Sequence, residues 1–318
     1  MAAAIETEDL TKDFLVGFWR PRPHRALEGL SLRVEEGEVF GFLGPNGAGK
    51  STTLKLLMQL LYPTRGSARI LGRPAGDLAM RRRIGFLAEN PYYYDYLTAE
   101  ELLHYFGRLF GLNGADLSAR VDRVLNEVGI GPERNRRLRQ FSKGMVQRVG
   151  LAQALLNDPE VVFLDEPMSG LDPLGRRQVR DLILGLRKRG CTVFFSSHIL
   201  ADAEALCDRV AIIVKGRLVK IGRINEIMSV DLKGWELVVS DLSDAAEAMV
   251  KLRVRHVTRL SDGHAMLELP PDATPEQLMH ELAAHGARSI SLNPVRETLE
   301  DVFVESVAAA PPQAAPGA

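Results

Sequence analysis

The sequence predicts an α/β fold built around a phosphate-binding loop, with a smaller α+β domain behind it. The first observation is the segment Gly44–Ser51, which fits the pattern G-x-x-x-x-G-K-[ST] between an apolar strand and an amphipathic helix. The second is a pair of apolar strands, at 161–166 and 192–197, that lead into acidic residues and a histidine. The third is a change of pattern near residue 224, after which short strands and helices alternate.

The flanks of the glycine-rich loop support a P-loop. Val39–Leu43 is short and apolar, which indicates a buried strand, and Thr52–Leu61 has apolar residues at helical spacing. Glycines let successive N–H groups turn inward, and the helix N-terminus attracts anions. The alternative, a glycine-rich turn with a chance lysine, is disfavoured by these flanks. The predicted phosphate contacts are Gly44, Pro45, Asn46, Gly47, Ala48, Gly49, Lys50, Ser51 and Thr52, with Lys50 reaching the β- and γ-phosphates and Ser51 binding Mg²⁺.

Composition narrows the class of protein. The chain has 318 residues, enough for one large or two smaller domains, and its 40 basic and 41 acidic residues give a net charge of −1. A nearly neutral chain lacks the basic surface that nucleic acid binding usually needs. The two cysteines, Cys191 and Cys207, form no C-x-x-C motif, which favours a reducing, cytosolic setting. The acidic start is not a signal peptide, and no run approaches the ~20 apolar residues that span a bilayer.

The first forty residues predict β-strands. Ile5, Leu10 and Phe14 lie along one strand, and a loop rich in proline and arginine is predicted at Gly17–Arg25. Phe14 has two interpretations, a core aromatic residue or a ring that stacks on a purine base, and both stay open here.

Residues 92–158 predict a mainly helical segment. Thr98 and Glu101 have the spacing of a capping box, and Arg120–Val128 predicts a second amphipathic helix. A tyrosine cluster precedes these helices. Tyrosine suits a half-buried contact surface and the core of a subdomain equally, so both interpretations stay open for Tyr92, Tyr93, Tyr94 and Tyr96.

Two strand ends and one helix start carry candidate chemistry. Asp165 and Glu166 end an apolar strand, where adjacent acids are costly unless metal or water uses them. Asp165 is expected to hold Mg²⁺, and Glu166 to orient or deprotonate an attacking water. His198 follows the strand at 192–197, at an edge where α/β sheets bind ligands, so we expect it to meet phosphate. Ser142 is a good N-cap for a helix that begins with Lys143 and Gly144. Such a helix start can bind an anion by the same physics as the P-loop, but many helices begin this way, so the signal is weak by itself.

Together these residues resemble the ATP-binding subunits of ABC transporters over about residues 5–225. Phe14 falls where that family has an aromatic residue that stacks on adenine. The resemblance implies ATP and Mg²⁺ as cofactors and a head-to-tail homodimer, in which the signature of one chain faces the ATP held by the other. The similar segments are Gly44–Ser51 (Walker A), Ser142–Gln147 (signature, with Ser142 and Gly144 at the γ-phosphate), Val161–Glu166 (Walker B with the catalytic glutamate), Ser169–Asp172 (D-loop, with Asp172 near the nucleotide) and His198 (switch histidine).

The sequence departs from the family pattern at two positions. Glu89 stands where the family usually has a glutamine, and its carboxylate can still ligate Mg²⁺ while adding negative charge near phosphate. Lys143 replaces the first glycine of the usual signature Ser-Gly-Gly-Gln, whereas Ser142 and Gly144 are kept.

The segment after residue 223 predicts an accessory domain. Ile224–Val230 predicts a linker helix, and the following order βαββαβ, with a hairpin signal at Asp262-Gly263, suggests a small ferredoxin-like sandwich. Its last helix resembles the end of the accessory domains of bacterial drug-export ABC ATPases. Its histidines have no ligand spacing and are predicted to lie on the surface. The predicted domains are 1–223 (with a helical subdomain at about 90–158), 224–307, and a disordered tail at 308–318.

The leading functional hypothesis is an ATPase subunit that drives a separate membrane permease, with Glu166, His198 and Lys50 as catalytic residues. The permease is expected to dock near Glu89–Tyr96, and export is favoured by analogy alone. The chain is expected on the cytoplasmic face of the cell membrane, held there by the permease. A soluble ABC ATPase acting on nucleic acid or ribosomes is the alternative, disfavoured by the single cassette and the absence of a basic patch. A purely regulatory binding module is disfavoured by the complete catalytic set.

Overall fold

A computed structural model describes residues 2–17, 19, 22–228, 232–260 and 263–309. By its contacts the chain divides into a larger unit, which runs to Ile224 and resumes at Phe303, and a smaller unit, Asn225–Val302. The hairpin signal at Asp262-Gly263 and the predicted tail at 308–318 lie partly outside the described residues, and the predicted domain boundaries stay predictions.

An antiparallel sheet begins the larger unit. A long hairpin of β1 (Ala3–Val16) and β2 (Arg22–Glu35) pairs through β1 with β4 (Arg65–Ile70), which pairs with the short β5 (Arg73–Pro74). The predicted loop Gly17–Arg25 is wrong at its C-terminal end. The residues from Arg22 onward already pair with β1, because cross-strand hydrogen bonding overrides the local proline and arginine signal.

A second, mainly parallel sheet positions the phosphate-binding loop. Its strand order is β10-β9-β3-β8-β7-β6, and only the edge strand β10 runs antiparallel to its neighbour. Every residue of β3, β7 and β8 is buried, as expected of strands covered on both faces. The carboxyl ends of β3, β7 and β8 therefore meet at one edge. The strands are β3 (Val39–Leu43), β6 (Ile84–Leu87), β7 (Val161–Asp165), β8 (Thr192–Ser197), β9 (Arg209–Val214) and β10 (Arg217–Arg223).

Seven α-helices are described between Lys50 and Leu206. No helix within the described ranges combines the length and apolar content needed to cross a bilayer. The helix after the glycine-rich loop ends before the predicted Leu61, because Gln59 takes the left-handed φ of 50° and ends the helix. The helices are α1 (Lys50–Leu57), α2 (Leu78–Arg81), α3 (Ala99–Leu109), α4 (Gly114–Glu127), α5 (Lys143–Leu155), α6 (Pro173–Lys188) and α7 (Leu200–Leu206), with 3₁₀ turns at Gly131–Glu133 and Leu138–Gln140.

The helical segment begins as predicted. The Thr98 hydroxyl accepts a hydrogen bond from the N–H of Glu101 (3.1 Å), and the Glu101 carboxylate accepts one from the N–H of Thr98 (2.9 Å), which confirms the capping box. Helix α4 begins at Gly114, earlier than the predicted Arg120. Leu117 is buried with Val121, so the apolar stripe of this helix extends one turn further back.

The smaller unit is one antiparallel sheet with two helices. Its elements follow the predicted order βαββαβ, and the strand order in the sheet is β12-β13-β11-β14. Apolar residues of the sheet and of both helices form its core, including Leu237, Val239, Leu267, Leu278 and Leu282. The elements are β11 (Leu232–Ser240), α9 (Asp244–Val250), β12 (His256–Arg259), β13 (His264–Leu269), α10 (Pro275–Ala284) and β14 (Arg288–Arg296). The remaining helices are α8 (Ile224–Ile227) and α11 (Leu299–Ala309).

Candidate nucleotide-binding site

A pocket of about 590 Å³ in the larger unit lies between the loop after β3 and the β1–β2 hairpin. Its size suits a small-molecule or cofactor site. Most of the residues predicted from sequence line it, although they come from five separate stretches of the chain. These are Phe14, Asn46, Gly47, Gly49, Lys50, Ser51, Thr52, Glu89, Glu166 and His198.

The loop between β3 and α1 needs its glycines for steric reasons. A Cβ on Gly44 would come within 2.4 Å of the Ile213 carbonyl oxygen. Gly49 has a φ of 105°, and a Cβ there would come within 2.6 Å of the Ala26 carbonyl oxygen. The loop is thus wedged between the hairpin and strand β9. This close packing holds the N-terminus of α1 toward the pocket.

Lys50 is held at the centre of the loop. Its side chain is buried, and its Nζ donates hydrogen bonds to the carbonyl oxygens of Gly44 (2.7 Å) and Pro45 (3.3 Å). The same Nζ lies 3.3 Å from Oε1 of Glu166. The ammonium group is therefore oriented by backbone and carboxylate oxygens, and it presents a positive charge where the pocket would receive an anion.

Glu166 is a buried carboxylate with two different environments for its oxygens. Its Oε2 lies 2.8 Å from Nδ1 of His198. Its Oε1 faces Lys50, yet no described residue reaches it in hydrogen-bonding geometry. The Glu166 backbone has a φ of 49°, unusual for a residue with a side chain and typical of strained functional sites. One oxygen of Glu166 is thus held by His198, and the other is buried beside the Lys50 ammonium without a hydrogen bond from the described residues.

The strained backbone at Glu166 is supported from two sides. Its N–H donates to the Ser196 hydroxyl (2.9 Å), which in turn donates to Oδ1 of Asp165 (2.6 Å). The amide of Gln147, on α5, donates to the Glu166 carbonyl (3.4 Å). Strands β7 and β8 and helix α5 therefore orient this carboxylate together.

The three predicted magnesium ligands do not lie together on the pocket wall. Ser51 and Glu89 line the pocket, whereas Asp165 is buried beside it and bonded to Ser196. Within the described ranges, no three His, Cys, Asp or Glu side chains form a metal centre. A hydroxyl and carboxylates nevertheless form an oxygen donor set that suits Mg²⁺, which is commonly held by one or two protein oxygens, waters and substrate phosphates.

The predicted signature residues do not line this pocket. Ser142 is exposed, and its hydroxyl caps α5 by accepting from the N–H of Met145 (3.3 Å). Asp172 caps α6 by accepting from the N–H of Gly175 (2.8 Å). Gly144 lies against Leu171, where a Cβ would come within 3.1 Å of its side chain. Ser142 and Gly144 thus form a signature surface apart from the pocket of the same chain, whereas Ser169 of the neighbouring loop before α6 lines the pocket.

The structure places the Phe14 side chain at the pocket rather than in the core, and its stacking on a base stays a prediction. Its ring is only half-buried and lines the pocket, so it is not a core residue. His24 and Ala26 of β2 also line the pocket, although the sequence analysis did not single them out. No local signal identifies them, because the hairpin register that places His24 opposite Phe14 is set by long-range strand pairing.

The tyrosine cluster divides between the two interpretations. Tyr92, Tyr94 and Tyr96 are exposed, with 95%, 53% and 59% of their surface accessible. Tyr93 packs edge-on against Phe106 and donates to the Gln153 amide oxygen (3.3 Å), and burial raises the pKa of its phenol. Three tyrosines are therefore exposed, and Tyr93 is half-buried against the helical segment.

The fold and the pocket define a P-loop nucleotide-binding protein, and comparisons with known proteins specify the family. The family described as ABC transporter matches residues 27–169. An uncharacterised ABC transporter ATP-binding protein of Synechocystis is 43% identical over 308 residues, covering 96% of this chain and 85% of the relative. The chain belongs to the family of ABC transporter ATP-binding proteins, and it is an ATPase of that family.

A further relative and two solved structures support the same family. A bacitracin transport ATP-binding protein of Bacillus licheniformis is 38% identical, over 78% of this chain and 79% of its own length. The solved ATP-binding subunit of an ABC transporter has a TM-score of 0.62 and 28% identity, covering 88% of this chain and 99% of its own. A dimeric ATP-binding cassette bound to ADP and Pi has a TM-score of 0.63 and 27% identity, covering 69% of this chain and 98% of its own.

Proposed function

We propose that this chain powers a membrane permease by closing as a head-to-tail homodimer on two ATP molecules. The observation that carries the proposal is the separation of the signature surface from the pocket. Lys50 and Glu166 line the pocket, whereas Ser142 is exposed elsewhere on the same unit. A second copy can supply the missing surface, as the symmetry of a dimer allows. The dimeric cassette among the solved structures supports this arrangement.

The proposed chemistry is in-line attack of water on the γ-phosphate. Oε1 of Glu166 accepts a hydrogen bond from the attacking water, while His198 holds the other carboxylate oxygen in place. Lys50 and the partner's signature surface stabilise negative charge that develops on the phosphate. Bound Mg²⁺ supplies charge neutralisation on the phosphates, and Ser51, Asp165 and Glu89 are the residues proposed to hold it.

The proposed base-binding end of the pocket is Phe14. Its half-buried ring is free to stack on adenine from the pocket side, while the glycine-rich loop cradles the phosphates. An aromatic ring can stack on any nucleobase, so Phe14 alone does not determine a preference for adenine.

The proposed partner is an integral membrane permease that docks on the tyrosine surface of Tyr92, Tyr94 and Tyr96. Exposed tyrosines are enriched in protein interfaces, and this surface adjoins Glu89 in sequence. Docking there would place the chain at the cytoplasmic face of the cell membrane. Export is the proposed direction, supported by a fluoroquinolones export ATP-binding protein of Mycobacterium tuberculosis that is 37% identical, over 76% of this chain and 85% of the relative.

Complementation between two inactive chains tests the head-to-tail arrangement. A Lys50→Ala chain lacks the loop cation, and a Ser142→Arg chain blocks the signature surface, so each is expected to be inactive alone. A mixed dimer contains one intact site, built from the Lys50 of one chain and the Ser142 of the other. We expect the mixture to regain part of the wild-type ATPase activity. A mixture as inactive as its components would contradict the arrangement.

A further inference from the structure

The β1–β2 hairpin brings a second ring to the base-binding end of the pocket. Phe14 and His24 are directly paired in the antiparallel register. Residues directly opposite in an antiparallel pair have side chains on the same face, about 5 Å apart at Cβ. Both side chains line the pocket, together with Ala26, which lies on the same face two residues after His24.

The neighbouring pair in the hairpin fixes this register. Arg25 donates two hydrogen bonds to the Asp13 carboxylate, at 2.8 and 3.2 Å. Asp13 precedes Phe14 and Arg25 follows His24. Because side chains alternate along a strand, Asp13 and Arg25 lie on the opposite face of the hairpin. A slip by one residue would break this bidentate ion pair and move Phe14 and His24 out of the pocket.

The hairpin is also connected to the glycine-rich loop. The N–H of Glu28 donates to the Gly216 carbonyl (2.8 Å), and the N–H of Gly216 donates to the Ala48 carbonyl (2.9 Å). The Glu28 carboxylate accepts two hydrogen bonds from Arg217, at 2.8 and 2.9 Å. These bonds connect the hairpin that carries the two rings to the loop that carries Lys50.

Lys12 restricts how Phe14 can be approached. Its Nζ lies over the Phe14 ring, 5.2 Å from the centroid, and donates to the Tyr62 carbonyl (2.7 Å). Lys12 does not line the pocket, whereas His24 does. A planar base entering the pocket therefore meets the open face of Phe14 with the His24 imidazole beside it.

We propose that His24 is a base-binding residue of the nucleotide site, whose imidazole extends the Phe14 ring into a two-ring platform for the nucleobase. The inference rests on the proposed nucleotide contacts of Phe14 and Lys50. A ring contact of this kind contributes to the binding of a nucleotide and contributes nothing to the binding of its phosphates alone.

Calorimetric titration with two ligands tests this inference. ATP presents a base, and inorganic tripolyphosphate presents the phosphates without one. We expect His24→Ala to bind ATP about five-fold more weakly, the size of an aromatic contact, and to bind tripolyphosphate as the wild type does. His24→Phe, which keeps a ring, is expected to bind ATP within about two-fold of the wild type. His280→Ala, at an exposed histidine of the smaller unit, is the matched control and should change neither affinity.

The outcomes separate this inference from the proposed function. If Phe14→Ala bound ATP more weakly and His24→Ala bound it as the wild type does, the role of His24 would be overturned. The proposed nucleotide site would still stand. Equal losses of ATP and tripolyphosphate affinity in His24→Ala would also overturn it, because they would show an effect on the phosphate end. A wild-type chain that bound neither ligand would overturn the proposed site, and this inference with it.

Discussion

Glu166 combines burial, backbone strain and an unsatisfied oxygen in one residue. Only 6% of its surface is accessible, and its φ of 49° is maintained by the bond to Ser196. Such strain persists where the surroundings over-determine it, commonly at functional sites. Lys50 and His198 hold the Glu166 carboxylate between them. Both residues are also expected to contact the phosphates of a bound nucleotide, so nucleotide binding would affect the position of the carboxylate.

The first prediction concerns the general base. Glu166→Gln keeps the size and the polar contacts but removes the negative charge, so turnover should fall by about 10² or more while ATP binding persists. Loss of hydrolysis should also accumulate the ATP-bound dimer, measurable by light scattering. Glu160→Gln, an exposed acid paired with Arg83 before β7, is the control and should keep its turnover. Wild-type turnover in Glu166→Gln would contradict the role assigned to this residue.

The second prediction concerns the two thiols, both of which are free. Burial raises the pKa of Cys191 to about 12 and holds the pKa of Cys207 well above its usual range. The reactive thiolate is therefore scarce at pH 8. Native protein should leave Ellman's reagent unreacted, and denatured protein should release two equivalents, one for each cysteine. Cys191 is buried and Cys207 half-buried, so rapid reaction of Cys191 in the native state would contradict this prediction.

At the level of elements, the buried strands were predicted most accurately. Val39–Leu43 and the strand at 192–197 were predicted with the bounds that the structure has. Parallel strands covered on both faces are short, largely apolar runs, so their extent can be read locally from the sequence. The start of β2 could not be read this way, because it depends on pairing with distant residues of β1.

The contrast between local and long-range signals also explains which site residues could be predicted from the sequence. The loop Gly44–Ser51 and the pair Asp165 and Glu166 are contiguous in sequence, and their chemistry follows from residue type and flanking pattern. His24 joins the pocket only through the hairpin register, which local sequence does not specify. The separation of Ser142 from the pocket is likewise a property of the assembled fold.

The third prediction concerns the hairpin and pH. The hydrogen bonds and charge of Arg25 lower the pKa of Asp13 below its ordinary value of 3.8, and those of Arg217 lower the pKa of Glu28 below 4.5. A carboxyl whose pKa is lowered by folding stabilises the fold above its unfolded pKa, and this contribution is lost as pH falls through the folded pKa. Asp13→Asn should therefore melt below the wild type at pH 7, and the two melting temperatures should converge below pH 3.8. A difference in melting temperature that persists at low pH would contradict this assignment.

At the scale of the whole molecule, the account requires two surfaces besides the pocket. One is the signature surface, proposed to meet a second copy of the chain, and the other is the tyrosine surface, proposed to meet the permease. Both surfaces belong to the larger unit and lie outside its core. The family match at residues 27–169 spans the loop, the helical segment and the end of β7.

The fourth prediction concerns the tyrosine surface. Replacing Tyr92, Tyr94 and Tyr96 by serine removes exposed rings without disturbing Tyr93, so the fold should persist. Co-purification of a membrane partner should fall at least about ten-fold, as expected when several interface aromatics are lost together. Leu252→Ser, at an exposed apolar residue of the smaller unit, is the control. Unchanged co-purification of the triple variant would show that the membrane partner docks on another surface.

The central claim is that this ATPase acts on a membrane permease. The most direct measurement is gentle detergent purification of tagged Glu166→Gln chain from its native membranes, with identification of the co-purifying proteins. The account predicts a stoichiometric polytopic membrane protein bound to a dimer of this chain, retained in the presence of ATP. Recovery from the soluble fraction alone, with ribosomes or nucleic acid attached, would contradict the claim and leave only the ATPase chemistry.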